Sequence, residues 1–107
     1  MPTVDSSIIV LTVKYAKTGD MRFFSHLDLI RLFQRAVRRA GIPVALSRGF
    51  HTRPEISFGP ALKLGKESMN EYARFKLTTP VEPEEFRKML QEQLPEGIQI
   101  TEVNANE

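Results

Sequence analysis

The chain contains no cysteine among its 107 residues. Disulfides, thiolate zinc sites, cysteine-held iron–sulfur clusters and cysteine nucleophiles are therefore all excluded. No apolar run approaches the roughly 20 residues that a membrane-crossing helix needs. The N-terminus lacks the charged region and apolar core of a secretory signal, so a cytoplasmic location away from membranes is expected. None of Ser25, Ser47, Ser57 and Ser68 sits in a nucleophile elbow, which argues against serine-hydrolase chemistry. Gly65-Lys-Glu-Ser68 lacks the glycine-lysine-serine or -threonine ending of a nucleotide-hydrolase phosphate loop.

Charge is present but unevenly spread. The formal net charge is +2. Residues 21–53 carry seven arginines against the single acid Asp28, or +6, while the remainder carries eight basic and twelve acidic residues, or −4. Every basic residue in that window is arginine. Its planar fork suits phosphate and carboxylate better than the point charge of lysine does. A solvated helix face with scattered loop charges explains the pattern, and so does a surface for an anionic partner such as nucleic acid.

The clearest element follows Ser25. At about 100° per residue, Leu29, Ile30, Leu32, Phe33, Ala36, Val37 and Ala40 share one half of a helix, and Arg31, Arg35, Arg38 and Arg39 share the opposite side. Ser25 is a suitable N-cap with Asp28 three residues on. Gly41 supplies a left-handed residue after the last turn, and Pro43 prevents a restart. Phe23 or Phe24 is placed to staple the helix entry.

Around it the rest reads as strands and one further helix. Residues 8–15 are rich in β-branched side chains and form a strand, expected to be central. Residues 54–64 read as one bent strand with a bulge, or as two short strands. Residues 70–79 alternate, with Tyr72 and Phe75 on opposite faces. Pro83 opens a second helix that extends to Leu94, with Phe86, Met89 and Leu90 on its inner face. Residues 98–103 make a last strand, after which residues 104–107 are expected to fray. The order βαββαβ predicts a single α+β domain over residues 1–107 of the ferredoxin-like kind, four antiparallel strands carrying two helices on one face.

The segments Met-Arg-Phe-Phe-Ser-His-Leu-Asp at 21–28, Arg-Ala-Val-Arg-Arg-Ala-Gly at 35–41 and Gly-Phe-His-Thr-Arg-Pro-Glu-Ile-Ser-Phe-Gly-Pro-Ala-Leu-Lys-Leu-Gly at 49–65 resemble a known family. It is the bacterial radical-SAM-linked proteins of uncharacterised function, whose domain occurs alone or attached to a radical-SAM enzyme. The resemblance implies longer relatives, of which residues 1–107 would be the N-terminal half. It also implies a radical-SAM protein as a partner; any cluster would belong to that partner, since this chain has no cysteine. In the loop the family reads glycine, phenylalanine, any residue, proline, histidine, proline. Here Thr52 and Arg53 take the fourth and fifth places, so an arginine keeps the position cationic where the family has its histidine.

Two histidines are the remaining chemical candidates. His26, in the first turn of the arginine helix, reads as a packed or capping residue, or as a general acid or base near neutral pH. His51 lies between Arg48 and Arg53, in a loop that is either a plain helix-to-strand turn or a phosphate cradle whose Gly49 admits close backbone approach. Two histidines without matching carboxylates do not make a metal site, and no cofactor is expected. The paired aromatics of an RNA-recognition sheet are missing, because Tyr72 and Phe75 point apart. The expected function is a non-catalytic RNA-binding module that contacts phosphates through Arg31, Arg35, Arg38, Arg39, Arg48 and Arg53. The alternatives are an accessory domain docking on a radical-SAM enzyme and, behind it, an RNA-processing enzyme using His26 or His51.

Overall fold

A computed structural model describes residues 9–49, 52–60 and 65–106. Strand β1 (Ile9–Lys17) leads through a 3₁₀ turn (Gly19–Phe23) into helix α1 (His26–Ala40). Strands β2 (Ile56–Phe58) and β3 (Ser68–Leu77), helix α2 (Pro83–Gln91) and strand β4 (Ile98–Asn106) follow. The strands form one antiparallel sheet in the order β2-β3-β1-β4, the ferredoxin-like arrangement, with β1 central as its apolar composition demands.

Helix α1 begins and ends where its local chemistry dictates. The Ser25 hydroxyl accepts the Asp28 amide at 3.0 Å, and the Asp28 carboxylate accepts the Ser25 amide at 3.2 Å, so both halves of a capping box are made. Gly41 closes the helix at φ 71°, a left-handed conformation that a side chain would resist. Phe24, at the entry, packs against the core, whereas Phe23 is 57% exposed under the Arg22 guanidinium.

The core lies between the helices and one face of the sheet. Leu11 and Val13 of β1, Ala73, Phe75 and Leu77 of β3, and Ile98 and Ile100 of β4 meet Leu29, Phe33, Ala36 and Val37 of α1 and Phe86 and Leu90 of α2. Ring contacts run through it: Phe33 lies 5.1 Å from Tyr15, 5.6 Å from Phe58 and 5.9 Å from Phe75, and Phe75 lies 5.2 Å from Phe86.

Five elements differ in their bounds from the sequence expectation. Strand β3 runs Ser68–Leu77 rather than 70–79, because its pairing with β1 spans Lys17 opposite Ser68 to Ile9 opposite Leu77. Strand β1 continues two residues past Tyr15, because its register shifts there against both neighbours and Tyr15, Ala16 and Lys17 are buried in succession. Strand β2 has only three residues and stops before Gly59-Pro60; residues 61–64 of the expected bent strand lie outside the described residues. Helix α2 ends at Gln91 rather than Leu94, its backbone tightening into bonds from Gln93 to Leu90 and from Leu94 to Gln91 ahead of Pro95. Strand β4 does not fray at residue 104, since β1 offers pairing partners as far as Val10 opposite Asn106. The shortened α2 also brings its last side chain to the sheet edge. The Gln91 amide donates to the Ile98 carbonyl at 2.9 Å and accepts from the Ile100 amide at 2.8 Å, filling backbone groups that a foreign strand would otherwise find.

Candidate nucleic-acid interface

The arginine row of α1 stands clear of the protein. Arg31, Arg35, Arg38 and Arg39 are all exposed. Among the described residues the ion pairs are Lys14–Glu102, Lys76–Glu55 and Arg87–Glu84, so no carboxylate neutralises the row. Neighbours Arg31 and Arg35, and Arg35 and Arg39, are four residues apart on the helix, a spacing at which like charges repel by about 0.2–0.5 kcal/mol per pair. Arg38 and Arg39 recover part of that cost from the negative helix end. Arg31 and Arg35 flank a depression of about 410 Å³ floored by Phe24 and Leu32, with Asp28 at its rim.

Arg48 and Arg53 stand elsewhere, at the neck of the loop after α1. The Ser47 amide donates to the Arg53 carbonyl at 2.8 Å, and the Arg53 amide donates to the Ser47 hydroxyl at 3.1 Å. That closure sets the two arginines at the base of one loop. The Glu55 amide then bonds the Ala45 carbonyl at 2.7 Å, and the Ala45 amide bonds the Lys76 carbonyl at 2.7 Å, which fastens the loop to β3. The result is an open groove of about 880 Å³ that bends around the β2 edge of the sheet. Ile30 and Gln34 of α1 line one side, Val10, Arg74 and Lys76 the other, with Arg48, Gly49 and Arg53 above.

The six predicted arginines therefore fall into three pairs. Arg48 and Arg53 share the groove with Arg74 and Lys76, Arg31 and Arg35 border the second depression, and Arg38 and Arg39 line neither. Arg74 and Lys76 were not anticipated as site residues, although they sit at alternate positions of a strand whose alternation is plain in the sequence. They come from the acidic remainder of the chain. Glu55 lies 3.8 Å from Lys76 at the groove wall, an exposed pair of little net strength, and among the described residues Arg48, Arg53 and Arg74 make no ion pair.

His26 packs edge-on against Phe58 with centroids 5.9 Å apart, and it lines neither depression. His51 lies outside the described residues. Among the described residues, no group of three or more histidines or carboxylates could hold a metal ion, and no helix is long and apolar enough to cross a membrane.

One buried charge lies away from the arginines. Lys17 is 1% exposed, and its ammonium donates to the Phe24 carbonyl at 2.7 Å, tying the helix entry to β1. Burial holds its pKa below the ordinary 10.5, opposed by the carboxylates of Glu71 and Asp28. Burial also raises the Tyr15 phenol above its ordinary 10.0, with Glu71 adding to the rise. Below pH 10.5 the unfolded lysine binds more proton than the folded one, so this group adds stability as pH rises. Above pH 10.0 the unfolded tyrosine loses its proton first, so that group removes stability. Denaturant unfolding across the alkaline range should show stability climbing toward pH 10 and falling beyond it. Lys17→Met should abolish the climb; an unchanged profile in that variant would assign the pH dependence to other groups.

A family model described as "Uncharacterized protein conserved in bacteria (DUF2344)" matches residues 11–107, and the chain belongs to that family. No curated protein and no solved structure matches it.

Proposed function

We propose that this member of an uncharacterised bacterial family is a non-catalytic RNA-binding module. Arg31, Arg35, Arg38 and Arg39 on α1 and Arg48 and Arg53 on the following loop would contact phosphates, and Arg74 and Lys76 extend the loop group. The observation that carries the reading is the absence, among the described residues, of any carboxylate paired with the six arginines. A helix face kept merely soluble would gain by interleaving acids at three- and four-residue spacing, and α1 carries Asp28 alone. The test is a salt titration of affinity for cellular RNA. Six neutralised phosphates should give a linear fall of log affinity against log salt with a slope of about −4 to −5. A slope near zero would refute phosphate contact.

A second reading is favoured by the motifs at 21–28, 35–41 and 49–65, which resemble radical-SAM-linked proteins. On it, the same face docks on an acidic surface of a radical-SAM enzyme. Co-purification that survives nuclease treatment would select it over the first. RNA processing at His26 has less support, because the imidazole is packed on Phe58 and borders neither depression.

A further inference from the structure

We propose that the helix-free face of the sheet is a second contact region, specific for single-stranded RNA and continuous with the groove. The inference rests on the RNA reading above and deepens it. Register fixes what this face carries. Arg74 stands opposite Thr12 on β1 and Ser57 on β2, Lys76 opposite Val10, and Tyr72 opposite Lys14. Asn104 of β4 continues the Thr12 row. Tyr72, Arg74 and Lys76 occupy alternate positions of β3, about 6.6 Å apart, on the side away from the buried Ala73, Phe75 and Leu77.

Val10, Ser57, Arg74 and Lys76 also line the groove that holds Arg48 and Arg53, so the cationic side chains continue from loop to sheet, with Glu55 the one acid among the lining residues. At their end is Tyr72, 42% exposed. Its ring lies over Gly59, where a Cβ would come within 2.8 Å of the ring carbons, so the missing side chain at Gly59 lets the ring rest there. A single exposed ring cannot reproduce the paired-aromatic mode, but it offers one stacking position to an unpaired base. Ser57, exposed beside Arg74, adds a hydroxyl suited to a base edge. A duplex hides its base faces and cannot use the ring, which makes the single strand the fitting ligand. Beyond Tyr72 the path stops, because Glu102 lies 3.9 Å from Lys14 and would repel the next phosphate.

The test measures anisotropy of a short fluorescein-labelled oligouridine and of a fully paired RNA hairpin with the full chain. Tyr72→Leu should weaken oligouridine binding about tenfold and leave hairpin binding unchanged, while Tyr72→Phe retains both. Arg74→Glu should weaken oligouridine binding about tenfold and hairpin binding as well, since Arg74 also lines the groove. Leucine keeps bulk over Gly59 and removes only the stacking surface, and thermal melts confirm that each variant is folded. Unchanged oligouridine affinity in Arg74→Glu and Tyr72→Leu would overturn the sheet-face site while leaving RNA binding by the arginine helix in place. Failure of the unaltered protein to bind either RNA would overturn both.

Discussion

The double variant Arg35→Glu/Arg38→Glu should lose at least about a hundredfold in RNA affinity, since each charge-assisted phosphate contact contributes about 1.5–3 kcal/mol and reversal adds repulsion. Both side chains are exposed and make no ion pair among the described residues, so the fold should survive. Exposed substitutions of this kind stay within about 0.5 kcal/mol of neutral, with a small further cost for a new acid near the helix C-terminus. Filter binding with a mixed cellular RNA pool, beside a thermal melt, checks both halves of the expectation. Retained affinity with an intact melt would show that α1 is only a solvated face. A collapsed melt would show instead that the arginines serve the fold.

The largest effect on stability should come from Phe33→Ala. The Phe33 ring is fully buried where Tyr15, Phe58 and Phe75 converge, so truncation removes the joint between α1 and three strands. Deleting a buried phenylalanine costs about 3–5 kcal/mol. A domain of this size has only about 5–15 kcal/mol in total, so the variant should unfold at much lower denaturant than the parent. A midpoint shift worth less than about 1 kcal/mol would mean that the rings at 15, 58 and 75 close over the gap and do not depend on Phe33. Phe33→Leu, which keeps most of the volume, should fall between the two.

Helix α1 was legible in the sequence because everything that fixes it is local. Cap, periodicity and stop all lie within residues 25–43, and the capping box between Ser25 and Asp28 needs nothing from the rest of the chain. Strand order followed from alternation and the βαββαβ sequence of elements. What escaped depends on partners far along the chain. The end of β4 was set by Asn106 pairing with Val10, 96 positions away, and the end of β1 by Lys17 pairing with Ile98 and Ser68, partners a local stretch cannot announce. Lys17 falls outside the strand read over residues 8–15, since a charge rarely goes inside; the register shift beside Tyr15 turns it inward, and the Phe24 carbonyl receives it.

The candidate site shows the same division. Exposure of the four helix arginines follows from their angular position and could be read directly. The grouping of Arg48 and Arg53 with Arg74 and Lys76 could not, because it depends on the Ser47–Arg53 closure and on which face β3 turns toward the loop. A one-residue slip of β3 would send Arg74 and Lys76 to the other face and leave the loop arginines isolated.

Ultraviolet crosslinking of the protein to RNA in living cells, with the modified peptides located by mass spectrometry, puts the central claim most directly at risk. Nucleotide adducts confined to the α1 face, the loop after it and the β3 segment around Arg74 are the predicted result. Adducts on α2 alone, or a protein recovered with no nucleotide attached, would contradict it.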